Sequence, residues 1–284
     1  MTDATVVPVM SGVLSVTREH DHGGAVIGVA WLLLLPLALA AVAYLGAAAA
    51  ERSHGRRSWP WYRDVAWSAG LAIVAVTLVG PLADAAHGDL AAHMVAHLLA
   101  GMLAPLLLVA AAPVTLALRS LDVGPARRLS RLLASAPLRV LTHPVVAATI
   151  AVGSLWLLYA TPLAAAMRDV PLVHELVIVH VVIAGYLFTA SIVSVDPAPH
   201  RAGYALRLGV LVLAIAAHSV LAKHVFAVAP TGTAIVEAER AGLVMYYGGD
   251  AVELVLLIAF FAEWYRSAGR RLRVGGGHAL PGPG

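Results

Sequence analysis

Seven long apolar stretches constrain this chain more than any other feature. A helix crossing the hydrocarbon core of a bilayer needs about 20 consecutive apolar residues. The sequence supplies such runs at Ala25–Ala50, Val65–Ala83, Leu90–Leu118, Thr142–Met167, Leu172–Ser194, Tyr204–Val228 and Leu243–Trp264. Between them stand turn-forming or charged segments: Glu51–Arg63, Asp84–Asp89, Arg119–Arg139, Arg168–Pro171, Val195–Gly203 and Ala229–Gly242. The expected fold is all-α, a polytopic transmembrane bundle of about seven helices. Composition agrees, with 60% hydrophobic and 12% charged residues, where soluble domains run to about half and a quarter. The expected organisation is a polar segment over residues 1–24, a transmembrane domain over 25–266 and a flexible tail over 267–284. The first 24 residues lack the basic start and small-residue cleavage site of a signal peptide, so the first helix is expected to act as its own insertion signal.

The basic residues orient the bundle. Cytoplasmic loops of membrane proteins carry an excess of Lys and Arg. If the first loop (Arg52, Arg56, Arg57, Arg63) is cytoplasmic, strict alternation adds three more groups to that side. These are Arg119, Arg127, Arg128, Arg131 and Arg139; then Arg201 and Arg207; then Arg266, Arg270, Arg271 and Arg273. Only Arg18, Arg168, Lys223 and Arg240 are left for the opposite side. The asymmetry predicts an outside N-terminus and a cytoplasmic C-terminus. It also accounts for the net charge of +3 without a nucleic-acid partner; the partner of this surface is the lipid bilayer.

Histidine is the unusual ingredient. There are 13 histidines and no cysteine, so any transition metal must be held by imidazole, thioether, carboxylate or backbone groups. His54, His143, His200 and His278 fall at or beyond the cytoplasmic face. The other nine (His20, His22, His87, His93, His97, His174, His180, His218, His224) fall in outer segments or outer halves of helices. At about 1.5 Å of rise per residue, His97 lies on the order of 10 Å below the outer edge. His180, His218, Asp250 and Glu253 reach similar depth, with His174, His224 and Asp89 above them. His93 and His97 are spaced i, i+4, which places both on one helix face. His174 and His180, like His218 and His224, are six apart and point about 120° away from one another. The predicted metal ligands are therefore drawn from His93, His97, His174, His180, His218, His224, Asp250 and Glu253, with His97, His180 and His218 converging as the deeper set. Ionisable groups inside a membrane are costly and mark function. Imidazole suits Cu, Zn and Fe, and thioether sulfur favours Cu(I); Met94, Met102 and Met245 are on the same helices. The plainer reading of any single membrane histidine is a hydrogen bond between helices, worth about 0.6 kcal/mol.

Other features carry less chemistry. Glu19-His20-Asp21-His22 is a short polar run that could capture a cation or simply be solvated. Trp59, Trp61 and Tyr62 are expected to form an interfacial aromatic belt. Arg127, Arg128 and Arg131 read as an orientation signal or a contact with anionic lipid. The sequence has no Walker A motif, nucleotide fingerprint, nucleophile triad or HExxH signature.

An ordered series of motifs adds a resemblance. The stretch His93-Met94-Val95-Ala96-His97-Leu98-Leu99, continuing through Pro105 to Ala112-Pro113-Val114 and Leu118-Arg119, resembles the third helix of the CtaG-type cytochrome c oxidase assembly factors. Leu158-Tyr159-Ala160-Thr161-Pro162-Leu163 is similar to that family's YxTPL segment. His174, His180, Gly185-Tyr186-Leu187-Phe188 and Asp196-Pro197-Ala198-Pro199 resemble its H…H…GYLF…DPxP run, and His218 falls at the histidine of its sixth helix. Ala241-Gly242-Leu243-Val244-Met245 and Gly249-Asp250 resemble its closing segment. Tyr246 stands where the family often has Trp, Asp250 where it commonly has Glu, and the loop Ala229–Arg240 is short.

The resemblance implies a multi-pass plasma-membrane protein that is not an enzyme and that matures a heme–copper oxidase. Its implied cargo is copper, as Cu(I), delivered to oxidase subunits and to subunit I in particular. Copper would be captured near His20, His22, His87 and His93 and pass to the deeper histidines. Three rivals remain at this stage: a heme-binding electron-transfer protein, a membrane copper transporter, and a structural assembly scaffold with no metal. The second would need a polar path through both leaflets, and the inner half offers little beyond His143.

Overall fold

The structure is a computed structural model and describes residues 21–53, 58–161, 163, 170–193, 195–228 and 234–275. Its elements are helices: α1 (Asp21–Ser53), α2 (Trp61–Leu78), α3 (Pro81–Gly88), α4 (Leu90–Leu98), a π-turn (Leu99–Leu103), α5 (Ala104–Ala110), α6 (Pro113–Ser120), α7 (Val123–Leu133), α8 (Ala136–Leu141), α9 (Pro144–Ala160), α10 (Pro171–Ile192), α11 (Tyr204–Ala227) and α12 (Ile235–Gly275). Among the described residues, five runs are long and apolar enough to cross a bilayer: Leu32–Ser53, Leu90–Ser120, Leu172–Ile192, Tyr204–Ala227 and Ile235–Gly269. The polytopic helical bundle stands. A sixth candidate is bent, because α2 and α3 meet at 47°. Gly80 sits at the break with φ of 99°, and Pro81 begins α3 without an N–H to continue the ladder. The segment expected as the loop Asp84–Asp89 is thus largely helical. The remaining apolar segment, α9, has 17 residues. The last helix runs for 41 residues, far past the expected Leu243–Trp264.

The third apolar run forms the middle of the bundle. It is more deeply buried than the first span, and it packs on α2, α10 and α12. Pro105 shapes it. Proline cannot donate to the carbonyl four residues back, here that of Gly101, and the helix widens into a π-turn in which the Ala104 N–H bonds to the Leu99 carbonyl. Such π-bulges concentrate at functional sites. The Gly101 carbonyl presses on Gly185 of α10, where a Cβ would collide with it. The glycine of the Gly185-Tyr186-Leu187-Phe188 motif therefore permits the closest crossing in the bundle's centre.

Two polar ties lock the opposite end. Ala112 adopts φ of 53° and starts α6 without a side-chain cap. Asp196 supplies the cap from more than 80 residues away, accepting from Val114 N at 3.2 Å, Thr115 N at 2.7 Å and Thr115 Oγ1 at 2.6 Å. Asp196→Ala is expected to cost about 0.5–2 kcal/mol, as loss of a helix cap does. Thermal unfolding of the detergent-purified protein measures this, with Asp196→Asn falling between the two. The second tie is Arg207, fully buried, which donates to the Ile192 carbonyl at 2.6 Å and pairs with Glu263 at 3.2 Å. Arg207, counted among the orienting charges, is thus also an internal strut.

Trp59 also departs from expectation. Trp61 and Tyr62 are exposed, as a membrane-interface belt requires, but Trp59 is buried. Its indole donates to Tyr44 Oη at 3.2 Å, and Tyr44 in turn donates to the Ala111 carbonyl at 2.7 Å. Arg63 and Arg119 cover the indole at 4.6 and 5.5 Å from its ring centre. An indole and a phenol satisfying each other's polar atoms make burial favourable.

Candidate metal centre

The functional candidates gather around two small cavities between the middle helices. One, of about 60 Å³, is lined by His97 and Met102 from the central span, His218 from α11 and Glu253 from α12, with Leu155, Phe188 and Leu256 among its apolar walls. The other, of about 30 Å³, is nearer α3 and is lined by His93, His97, Tyr159, His174 and Thr77. His97 borders both.

Local sequence explains these positions. His93 and His97 share a face of α4, and the rings of both meet Tyr159 edge-on, with centroids 6.3 and 6.5 Å away. The π-turn follows directly and carries Met102 to the cavity wall. Gly101 gives His97 its room, since a Cβ there would stand 3.3 Å from the imidazole Cε1. On α12, Gly249 does the same for His218, whose ring occupies the space a Cβ would need.

His218 is oriented by a carboxylate. Its Nδ1 lies 3.2 Å from Glu253 Oε1, and both side chains are more than nine-tenths buried. A carboxylate accepts, so the pair assigns the proton of neutral His218 to Nδ1 and leaves the Nε2 lone pair available. That nitrogen is buried and has no hydrogen-bond partner, as is Nε2 of His97. Buried polar atoms are nearly always partnered. Metal-ligating histidines commonly hand their second N–H to a carboxylate in this way. His87 is fixed similarly: its Nδ1 is 2.7 Å from the Ala83 carbonyl, which puts the proton there, and its ring stacks on His174 at 4.7 Å.

The predicted ligands are not all brought together. His93, His97, His174, His218 and Glu253 line the two cavities. His180 does not join them. On α10 the inward face is set by His174, Ile178, Val181 and Gly185, and His180 points away to an exposed position in a separate hollow beside Leu157 and Leu163. The expected convergence of His97, His180 and His218 is therefore replaced by His97 and His218 with Glu253 and Met102. His224 packs on Trp156 with centroids 5.6 Å apart, and Asp250 is half-buried outside both cavities. Asp89 is committed to capping α4, accepting from Ala91 N at 2.7 Å and Ala92 N at 3.1 Å. Met94 and Met245 are in the apolar core with Leu155 and Leu221. Among the described residues, no three His, Asp or Glu side chains stand close enough to hold one ion. His20, His54 and His278 lie outside the described residues, as does the side chain of His22.

The profile of the cytochrome c oxidase caa3 assembly factor family matches residues 42–267, which is most of the chain and includes both cavities. The chain belongs to this family. Among curated proteins, the chain is similar to an uncharacterised protein of Mycobacterium bovis, 33% identical over 219 residues that cover 75% of this chain and 32% of that protein. An uncharacterised protein of Mycobacterium tuberculosis gives the same figures. One from Mycobacterium leprae is 28% identical over 230 residues, covering 74% of this chain and 35% of its own length. The chain thus spans about a third of the length of the curated relatives it matches. No solved structure matches it.

Two site residues of this family member escaped the sequence reading. Tyr159 has a buried hydroxyl without a partner, facing the histidines of α4. Glu175 is buried beside His174 with its Oε2 unpartnered. Neither has a polar residue three or four positions away on its own helix to pair with. The only available signal was a carboxylate or phenol inside a predicted span, which is expensive enough to need a reason.

Proposed function

We propose that this protein serves the maturation of a heme–copper oxidase in the plasma membrane by holding Cu(I) and passing it to the oxidase, with subunit I as recipient. The N-terminus is on the outer side in this reading, and the metal enters from there. The observation that carries it is the arrangement of His97, His218 and Met102 around one buried cavity, with two unpartnered imidazole nitrogens and a carboxylate behind one of them. Two imidazoles and a thioether form a donor set suited to Cu(I). A cavity of about 60 Å³ suits an ion with a few waters, each needing ~10–15 Å³ on this measure. Cofactor pockets run to roughly 300–1,000 Å³, so the volume favours a metal ion over heme. A set that is not drawn into a closed chelate also fits a carrier, which must release what it binds. Capture would fall to His87, His93 and His174, with His97 bordering both cavities. The work is ligand exchange and requires no covalent step, so the protein acts as a metallochaperone and not an enzyme.

Metal analysis of the purified protein, loaded with Cu(I) under reducing conditions, tests this. Wild type is expected to retain copper stoichiometrically, His97→Ala and His218→Ala to lose it, and His180→Ala to keep it. No binding by wild type, or unchanged binding by the first two variants, overturns the proposal.

A further inference from the structure

The connection between the third span and α9 lies outside both histidine-lined cavities. The chain leaves one span at Ser120 and starts α9 at Pro144, so everything between must lie at that end of the bundle, level with the membrane surface. It forms two short helices, α7 and α8, with no buried residue in either. In α7 the residues divide cleanly at 100° per residue. Ala126, Leu129, Leu132 and Leu133 share one face, and Arg127, Arg128 and Arg131 the other. Leu129 and Leu133 are part-buried, but Leu132 is 57% exposed, and Val140 and Leu141 of α8 extend the apolar surface.

The charge on this arm is one-sided. Arg127, Arg128, Arg131 and Arg139 face a single acidic residue, Asp122, between Ser120 and His143. Among the described residues none of the four arginines has an ion-pair partner, whereas Arg52, Arg119, Arg201 and Arg207 do. An amphipathic helix with a basic polar face lies in the headgroup region, apolar side down. Basic residues at that level attract anionic lipid.

We propose that Val123–Leu141 is an interfacial arm that settles its apolar face into the adjoining leaflet and collects anionic phospholipid headgroups on Arg127, Arg128 and Arg131. Charge complementarity selects the occupant: four unpaired guanidiniums suit phosphate-bearing lipids, and the exposed leucine face suits their acyl chains. Position adds to this, since both ends of the arm are joined to membrane-embedded helices.

The chain contains no cysteine, so single nitroxide labels report one site each. The full chain carrying Leu132→Cys is labelled and reconstituted in vesicles of phosphatidylcholine, with and without phosphatidylglycerol. Spin-label collision with oxygen, relative to a water-soluble nickel chelate, reads depth. The expected result is a severalfold rise in the oxygen-to-nickel ratio at Leu132→Cys when phosphatidylglycerol is present. That rise should vanish in R127Q/R128Q/R131Q and return in R127K/R128K/R131K. A label at Leu213→Cys, on the exposed face of α11, reports whether each variant is still inserted. A water-exposed Leu132→Cys label in both lipids overturns the arm. Equal depth in both lipids, or a phosphatidylglycerol response that persists without the arginines, overturns the anionic-lipid assignment.

Discussion

Glu263→Gln is expected to destabilise the bundle by about 3 kcal/mol, the lower end of the cost of stripping the partner from a buried charge. Arg207 is the reason. Its side chain is 1% exposed, it pairs with Glu263 at 3.2 Å, and its guanidinium lies over the rings of Tyr204 at 4.4 Å and Phe260 at 5.3 Å. With a neutral amide in place of the carboxylate, Arg207 keeps the Ile192 carbonyl but has no countercharge, and water cannot reach it. Glu263 itself is 17% exposed, which is why the lower figure applies. Arg207→Met should cost less than Glu263→Gln, because it fills the same space and leaves Glu263 bonded to Arg201 and to Tyr204 Oη. Thermal unfolding in detergent orders the two variants. Equal losses would mean that the packing of α11 on α12 matters there and the charge does not.

Glu253→Gln is expected to weaken Cu(I) retention by about 10–100-fold, the usual effect of removing an outer partner from a ligating histidine. The carboxylate holds the His218 ring through Nδ1 at 3.2 Å and makes Nε2 a better donor. A glutamine can still accept through its carbonyl, but it is neutral and can turn its amide to the ring instead. Competition titration of wild type and variant against a Cu(I) chelator of known affinity measures the ratio. The overall fold should persist, since among the described residues Glu253 Oε2 bonds to no other group. An unchanged affinity would remove Glu253 from the site and leave His97, His218 and Met102 to be tested alone.

Much of the architecture could be read from the chain because hydrophobic length and charge asymmetry are local quantities. A run such as Tyr204–Val228 is long enough to span whatever lies beside it, and α11 duly covers Tyr204–Ala227. The i, i+4 pair His93 and His97 was equally safe, since a single helix settles it. Trp59 and His180 were misplaced for one shared reason. Each was assigned by residue type and depth, and depth says nothing about which way a side chain points around its helix. His180 differs from Ile178 by two residues, a rotation of about 200°, and so it leaves the inner face that its neighbours occupy.

The sequence by itself determined the helical membrane fold, the family motifs and the shared face of His93 and His97, because each follows from local composition and helical spacing. Tertiary structure decided which histidines meet. That choice rests on helix rotation and on close approaches at Gly101, Gly185 and Gly249, where the missing Cβ lets carbonyl or imidazole enter. It rests also on Pro105, whose absent N–H opens the π-turn that brings Met102 to the cavity beside His97 and His218.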